Sequence, residues 1–148
     1  WQPTFYLASV SASVGGVLKP AGLDNASGLI TASYLKDPND PQWANDAGYK
    51  EWLAFMKQYY PDGDLIDVLN VYGYTIAQTM TKVLEMAGDD QRCLNIMKQV
   101  SNMDFALPML LPGIKMKTTP TDYSPLKKMY LQKFDGKVWQ NFGEAIGD

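Results

Sequence analysis

The sequence predicts an α/β chain: a mostly parallel sheet with flanking helices, closed by a carboxy-terminal hairpin. Strand-like and helix-like runs alternate along the chain without repeats or low-complexity tracts. The near-continuous apolar run Leu65, Ile66, Val68, Leu69 and Val71 reads as a strand covered on both faces, as parallel sheets require. Asp135-Gly136, between Met129 to Phe134 and Val138 to Phe142, suits a tight hairpin turn with positive φ. Strand, helix, strand, helix and a closing hairpin together give the class.

From Thr4 to Val10, Phe5, Leu7 and Ser9 alternate with Tyr6, Ala8 and Val10, which predicts a strand leading into a Ser/Gly-rich stretch. Ile30, Thr31 and Tyr34 predict a second strand over Leu29 to Leu35. Asp37-Pro38-Asn39-Asp40-Pro41 breaks it, and Asp40 before Pro41 is a cap and first-turn pair that should open a helix reaching about Tyr60. Trp52, Phe55, Met56 and Tyr59 form the apolar stripe of that helix. Pro61-Asp62-Gly63 ends it. After the apolar run, a helix is predicted over Tyr74 to Ala87, with Ile76, Met80, Val83, Leu84 and Ala87 inward and Gly88 as its stop. A shorter one should follow at Arg92 to Val100, with Leu94, Met97 and Val100 inward. Lys115 to Pro125, rich in Thr, Pro and Asp, reads as an extended connection.

The 148 residues amount to about one domain, with enough apolar sequence for a core. Lys+Arg 13 against Asp+Glu 16 gives a net charge of −3, so no field favours a polyanionic nucleic acid. Histidine is absent, which removes the commonest general base and metal ligand and every Ser/His or Cys/His nucleophile. The single cysteine, Cys93, cannot form an internal disulfide and reads as a small apolar helix residue. No run approaches the roughly 18 apolar residues of a membrane span. The chain begins at Trp1 rather than Met. We therefore expect that a leader, or a larger part of the protein, preceded it.

Several groups resemble chemical sites and fail on spacing. Asp37, Asp40 and Asp46 could suggest a calcium loop, but Pro41 and Trp43 interrupt the alternation that a loop with about six to eight oxygen ligands needs. Helix capping and solvation account for them. Asp62, Asp64 and Asp67 lie where a strand would start, away from the crevice at strand carboxyl ends, so paired-carboxylate hydrolysis is not expected. Gly15-Gly16 lacks the spacing of a phosphate loop, and Asn25-Ala26-Ser27 is only a short glycosylation triplet. The positive signal lies at the predicted strand ends: Ser9, Ser11 and Ser13 after the first, and Asn70, Tyr72 and Tyr74 after the apolar run. Hydroxyls, an amide and aromatic faces at such an edge suit a small-molecule pocket. Loop and packing roles explain the same residues.

Gly28 to Pro38, Trp52 to Met56, Gly73 to Gln78, Pro112 to Ile114 and Phe134 to Trp139, in this order, resemble the carboxy-terminal portion of a periplasmic receptor. The resemblance is to the type I solute-binding proteins of ABC importers, in the branched-chain amino acid receptor branch. It spans nearly the whole chain.

That resemblance implies part of a two-lobe periplasmic-binding-protein type I fold, with ligand held between lobes joined by three crossovers. Residues 1–35 would end the second lobe. Residues 36–114 would form the returning part of the first lobe, with Tyr34 to Asn39 as one crossover. Residues 115–148 would supply the final crossover and a hairpin lying on the second lobe. The family's ligand contacts map onto Ser9, Val10 and Ser11, and onto Leu69 with Asn70 and Tyr72 beside it. Where the family carries an acid that pairs with the ligand amine, Ser9-Val10-Ser11 has none. An amide or an aromatic acid is therefore expected alongside amino acids as solute.

The resemblance implies a periplasmic, non-enzymatic receptor without cofactor or metal. Its partners would be a small solute, an ABC permease in the membrane, and either the missing amino-terminal half or a second copy. The alternative is the ligand-sensing domain of a regulatory or signalling protein with the same fold.

Overall fold

A computed structural model describes residues 3–147; Trp1, Gln2 and Asp148, the ends of the first and last predicted segments, lie outside the described residues. The chain opens extended beside β1 (Ile30–Ser33). Leu7 N–H donates to the Ile30 carbonyl at 2.8 Å and Ile30 N–H to the Phe5 carbonyl at 3.0 Å, forming one parallel bridge. The strand expected over Thr4 to Val10 is reduced to this bridge, because the backbone winds into a 3-10 turn at Ser9–Ser11. A π-helical turn, Val14–Leu18, follows, and Ser13 Oγ accepts from Gly16 N–H at 3.1 Å to cap it. Two short helices, α1 (Lys19–Ala21) and α2 (Leu23–Ala26), pivot on Gly22, whose φ of +93° favours glycine.

The Asp40-Pro41 pair opens only a 3-10 turn, Pro41–Trp43, with Asp40 Oδ1 accepting from Gln42 N–H at 3.0 Å. The long helix α3 (Ala47–Tyr59) is capped instead by Asp46, which accepts from Tyr49 N–H at 2.9 Å. Asp46 also takes the Lys36 ammonium at 2.6 Å, and Lys36 Nζ donates as well to the Pro108 carbonyl at 2.7 Å. One carboxylate thus opens the helix and neutralises a buried lysine, which would otherwise be costly. On α3, Trp52 and Met56 are buried, whereas Phe55 and Tyr59 face outward. The buried stripe is narrower than the spacing predicts.

The apolar run at 65–71 is not a strand. Asp67 Oδ1 accepts from Leu69 N–H at 3.0 Å and opens α4 (Val68–Ala87), which ends at Gly88 with φ +61°. Val71, Tyr74, Thr75, Val83 and Ala87 are the buried positions of α4, a helical period. Ile76 and Met80, expected inward, are exposed. On α5 (Cys93–Val100), Leu94 is 88% exposed and Met97 and Cys93 are also exposed. No helix among the described residues is long and apolar enough to cross a membrane.

Loss of that strand changes the sheet. The run at 65–71, which opens α4, contributes no strand to either ladder. β1 pairs with β4 (Met129–Phe134), which pairs in turn with β5 (Trp139–Ile146), in antiparallel order β1-β4-β5. A second antiparallel pair joins β2 (Asp104–Phe105) to β3 (Met116–Lys117). The mostly parallel sheet expected from the sequence is therefore corrected to antiparallel ladders with one parallel bridge.

Two apolar cores form among the described residues. The smaller holds Val14, Leu18, Phe134 and Trp139, and Trp139 Nε1 donates to the Ala12 carbonyl at 2.8 Å, tying the hairpin to the amino-terminal segment. The larger is built on Trp52, Met56, Val71, Met109 and Leu111. The stretch leaving β1 enters it: Lys36 N–H donates to the Met109 carbonyl at 3.0 Å and Leu111 N–H to the Tyr34 carbonyl at 2.9 Å.

Candidate functional site

A hollow of about 190 Å³ lies at the edge of the larger core, which Tyr34, Leu35 and Val68 share with it. Ser9 and Val10 line it from the amino-terminal segment, Ser33, Tyr34 and Leu35 from the end of β1, and Val68, Leu69 and Tyr72 from the first turns of α4. It sits beyond the carboxyl ends of the parallel pair, where α/β folds open their crevices. A larger hollow, about 590 Å³, lies at the opposite end of that pair against Thr4, Phe5 and Ile30, and none of the predicted site residues lines it.

Local chemistry positions each wall. Ser33 Oγ accepts from Leu35 N–H at 3.3 Å and donates to the Leu35 carbonyl at 3.2 Å, fixing the bend by which the chain leaves β1. Asn39 Nδ2 donates to Asp37 Oδ1 and to the Ile66 carbonyl, both at 2.8 Å, which ties that departing segment to the loop before α4. Burial holds the Asp37 carboxyl above its ordinary range, against the lowering effect of its hydrogen bonds from Asn39. Where the amino-terminal segment meets the loop before α4, a Cβ on Gly15 would stand 2.7 Å from the Ile66 carbonyl oxygen. Only glycine allows the amino-terminal segment this close to the α4 loop.

The walls are apolar and aromatic. Burial first, and the neighbouring Tyr72 second, push the Tyr34 hydroxyl above its usual pKa, so it stays protonated and able to donate. Val10 is 73% and Tyr72 45% exposed, so apolar surface stands open to solvent on two sides of the hollow. No charged side chain lines it among the described residues. Such a surface can cover the apolar or aromatic body of a small molecule and offer it a few hydroxyl hydrogen bonds.

Of the residues singled out from the sequence, the fold brings Ser9, Val10, Leu69 and Tyr72 to one hollow. Ser11 and Asn70 do not line it. Ser11 closes the 3-10 turn, its N–H donating to the Ala8 carbonyl at 2.9 Å, and Asn70 Nδ2 donates to the Asp64 carbonyl at 2.6 Å. Asn70 and Tyr72 were expected at a strand end and stand on a helix instead, with Asp67 the cap that decides it. Sequence reasoning missed Ser33, Tyr34, Leu35 and Val68. The alternation that predicts β1 carries the signal for the first three, since its carboxyl end is the crevice side. The acids weighed as a cation loop are engaged elsewhere: Asp40 caps the 3-10 turn, Asp46 caps α3, and Asp37 holds Asn39.

Residues 3–138 match the profile of a family described as periplasmic binding protein. Among solved structures, a branched-chain amino acid ABC transporter from Thermus thermophilus with bound valine superposes with a TM-score of 0.77 at 12% identity. That match covers 100% of this chain and 40% of the other, so the chain spans less than half the length of that neighbour. At this identity the likeness is one of fold. No curated protein matches the chain. An antiparallel hairpin sheet and a helical layer with a hollow at their border, together with a profile match over most of the sequence, lead to one conclusion: the chain belongs to the periplasmic binding protein family.

Proposed function

We propose that this chain is part of an extracytoplasmic solute receptor serving an ABC importer, and that Ser9, Val10, Leu69 and Tyr72, joined by Tyr34, form one wall of its ligand cleft. The observation that carries this reading is the convergence of three chain segments, far apart in sequence, on one apolar hollow. Lobe closure in such receptors buries the ligand and creates a docking face for permeases. The 190 Å³ here falls below the roughly 300–1,000 Å³ of complete ligand sites, as one wall of a shared cleft should. Residues 1–35, 36–114 and 115–148 are then the end of one lobe, the returning part of the other, and the last crossover with its hairpin. The solute we favour has an aliphatic or aromatic body, because the wall holds no carboxylate to pair with an amine and no cation to pair with an acid.

The test is calorimetric titration of the full gene product with valine, leucine, phenylalanine and benzoate. Binding of at least one, weakened about tenfold or more by Tyr72→Ala while the melting temperature stays within a few degrees, is the expected result. Affinity unchanged in both Tyr72→Ala and Leu69→Ala would remove this hollow from the binding site. Saturable turnover of any of these solutes would instead favour an enzyme.

A further inference from the structure

A second hollow, about 340 Å³, opens where the segment leaving the larger core turns into β4. Its lining is Gly113 and four lysines, Lys115, Lys117, Lys127 and Lys128. These are four of the 13 basic residues of a chain whose net charge is −3. The gathering is built by the backbone. Lys115 and Lys117 flank the buried Met116 on β3, so strand alternation turns both ammonium groups to the same outer side. Lys117 N–H donates to the Pro125 carbonyl at 2.8 Å, which holds β3 against the stretch carrying Lys127 and Lys128.

Two of the four charges are answered. Asp104 meets Lys115 at 3.1 Å, and Asp122 takes a short contact from Lys127. Neither Lys117 nor Lys128 has an ion-pair partner among the described residues. The hollow therefore carries a local excess of positive charge in an acidic protein, a field that raises the local concentration of anions. No aromatic or apolar side chain lines it among the described residues, and ammonium groups act as point charges rather than as a planar fork. An aromatic ligand or a nucleobase would find nothing to stack on.

We propose that this lysine hollow binds a small polyvalent oxyanion, bearing phosphate or several carboxylates, which bridges the Lys115–Lys117 side to the Lys127–Lys128 side. The site is separate from the apolar hollow, and it joins the segment rooted in the larger core at Ile114 and Met116 to the strand that ends in the smaller core at Phe134. An occupant there braces the connection between the cores.

The probe is inorganic pyrophosphate, titrated calorimetrically into the full chain, with sodium chloride at matched ionic strength as the comparison. One-to-one saturable binding of pyrophosphate, absent with chloride, is the expected result. Lys117→Gln with Lys128→Gln should weaken it about tenfold, whereas Lys57→Gln with Lys98→Gln, on α3 and α5, should leave it unchanged. Circular dichroism on both double variants separates loss of binding from loss of fold, and Lys117→Ser with Lys128→Ser provides a second pair should the first fail to fold. Absence of saturable heat, equal response to chloride, or equal weakening by both double variants would overturn the proposal.

Discussion

Residues 129–134 and 65–71 have comparable apolar content: Met129, Tyr130, Leu131 and Phe134 in one, Leu65, Ile66, Val68, Leu69 and Val71 in the other. The first is a strand and the second opens a helix. Their flanks make the difference. Behind the first stands Asp135-Gly136, where Asp135 Oδ1 accepts from the N–H groups of Lys137 and Val138 at 2.8 and 2.9 Å and Gly136 takes φ +98°. That turn can only send the chain back as a hairpin. Asp64 precedes the second and Asp67 interrupts it: Asp64 accepts from Ile66 N–H at 2.9 Å in the loop, and Asp67 accepts from Leu69 N–H at 3.0 Å, a donor that the start of α4 leaves open. A short apolar run takes its structure from the polar residues beside it.

The largest effect should come from the side where turn and core agree. Phe134, 1% exposed, packs on Trp139 with ring centroids 5.2 Å apart, so Phe134→Ala should cost about 3–5 kcal/mol in denaturant unfolding. A loss under about 1 kcal/mol would mean that the hairpin is held by its turn alone.

The two flanks can be set against each other directly. Gly136→Val forces a β-branched residue into positive φ and should cost about 1 kcal/mol or more; Asp67→Ala removes a cap and should cost about 1 kcal/mol. Chemical denaturation measures both. Were residues 65–71 held by tertiary packing regardless of their cap, Asp67→Ala would be neutral and the comparison would fail.

The smallest effect concerns the buried face of α4. Burial first, and the Glu51 carboxylate second, push the Tyr74 hydroxyl up to about 12; it donates to Glu51 Oε1 at 3.1 Å. A folded-state pKa raised above the ordinary tyrosine value of about 10 means that the native state holds this proton more tightly. Its contribution is complete below about pH 10 and is lost as pH rises towards 12. Tyr74→Phe should flatten the alkaline fall in stability, followed by thermal unfolding from pH 9 to 12. An identical pH profile in the variant would show Tyr74 to be solvated.

Much of this molecule was legible in its residues. Asp135-Gly136 specified the hairpin, Gly88 the end of α4, and the β-branched and aromatic residues of 30–34 the strand β1, because turns, caps and short-range period act within a few residues. Resemblance pointed to the family that the profile match shows. Of the six residues that the resemblance implies as ligand contacts, Ser9, Val10, Leu69 and Tyr72 line one hollow, and Ser11 and Asn70 do not. Only the tertiary structure decided that β1 pairs along its length with antiparallel β4 while meeting Tyr6 in a parallel bridge, and that Tyr34 joins Tyr72 at a hollow. Those outcomes depend on which surfaces are buried together. Gly15 can lie against Ile66 because both cores dictate the path of the chain, and no local pattern encodes a contact between residues 51 positions apart.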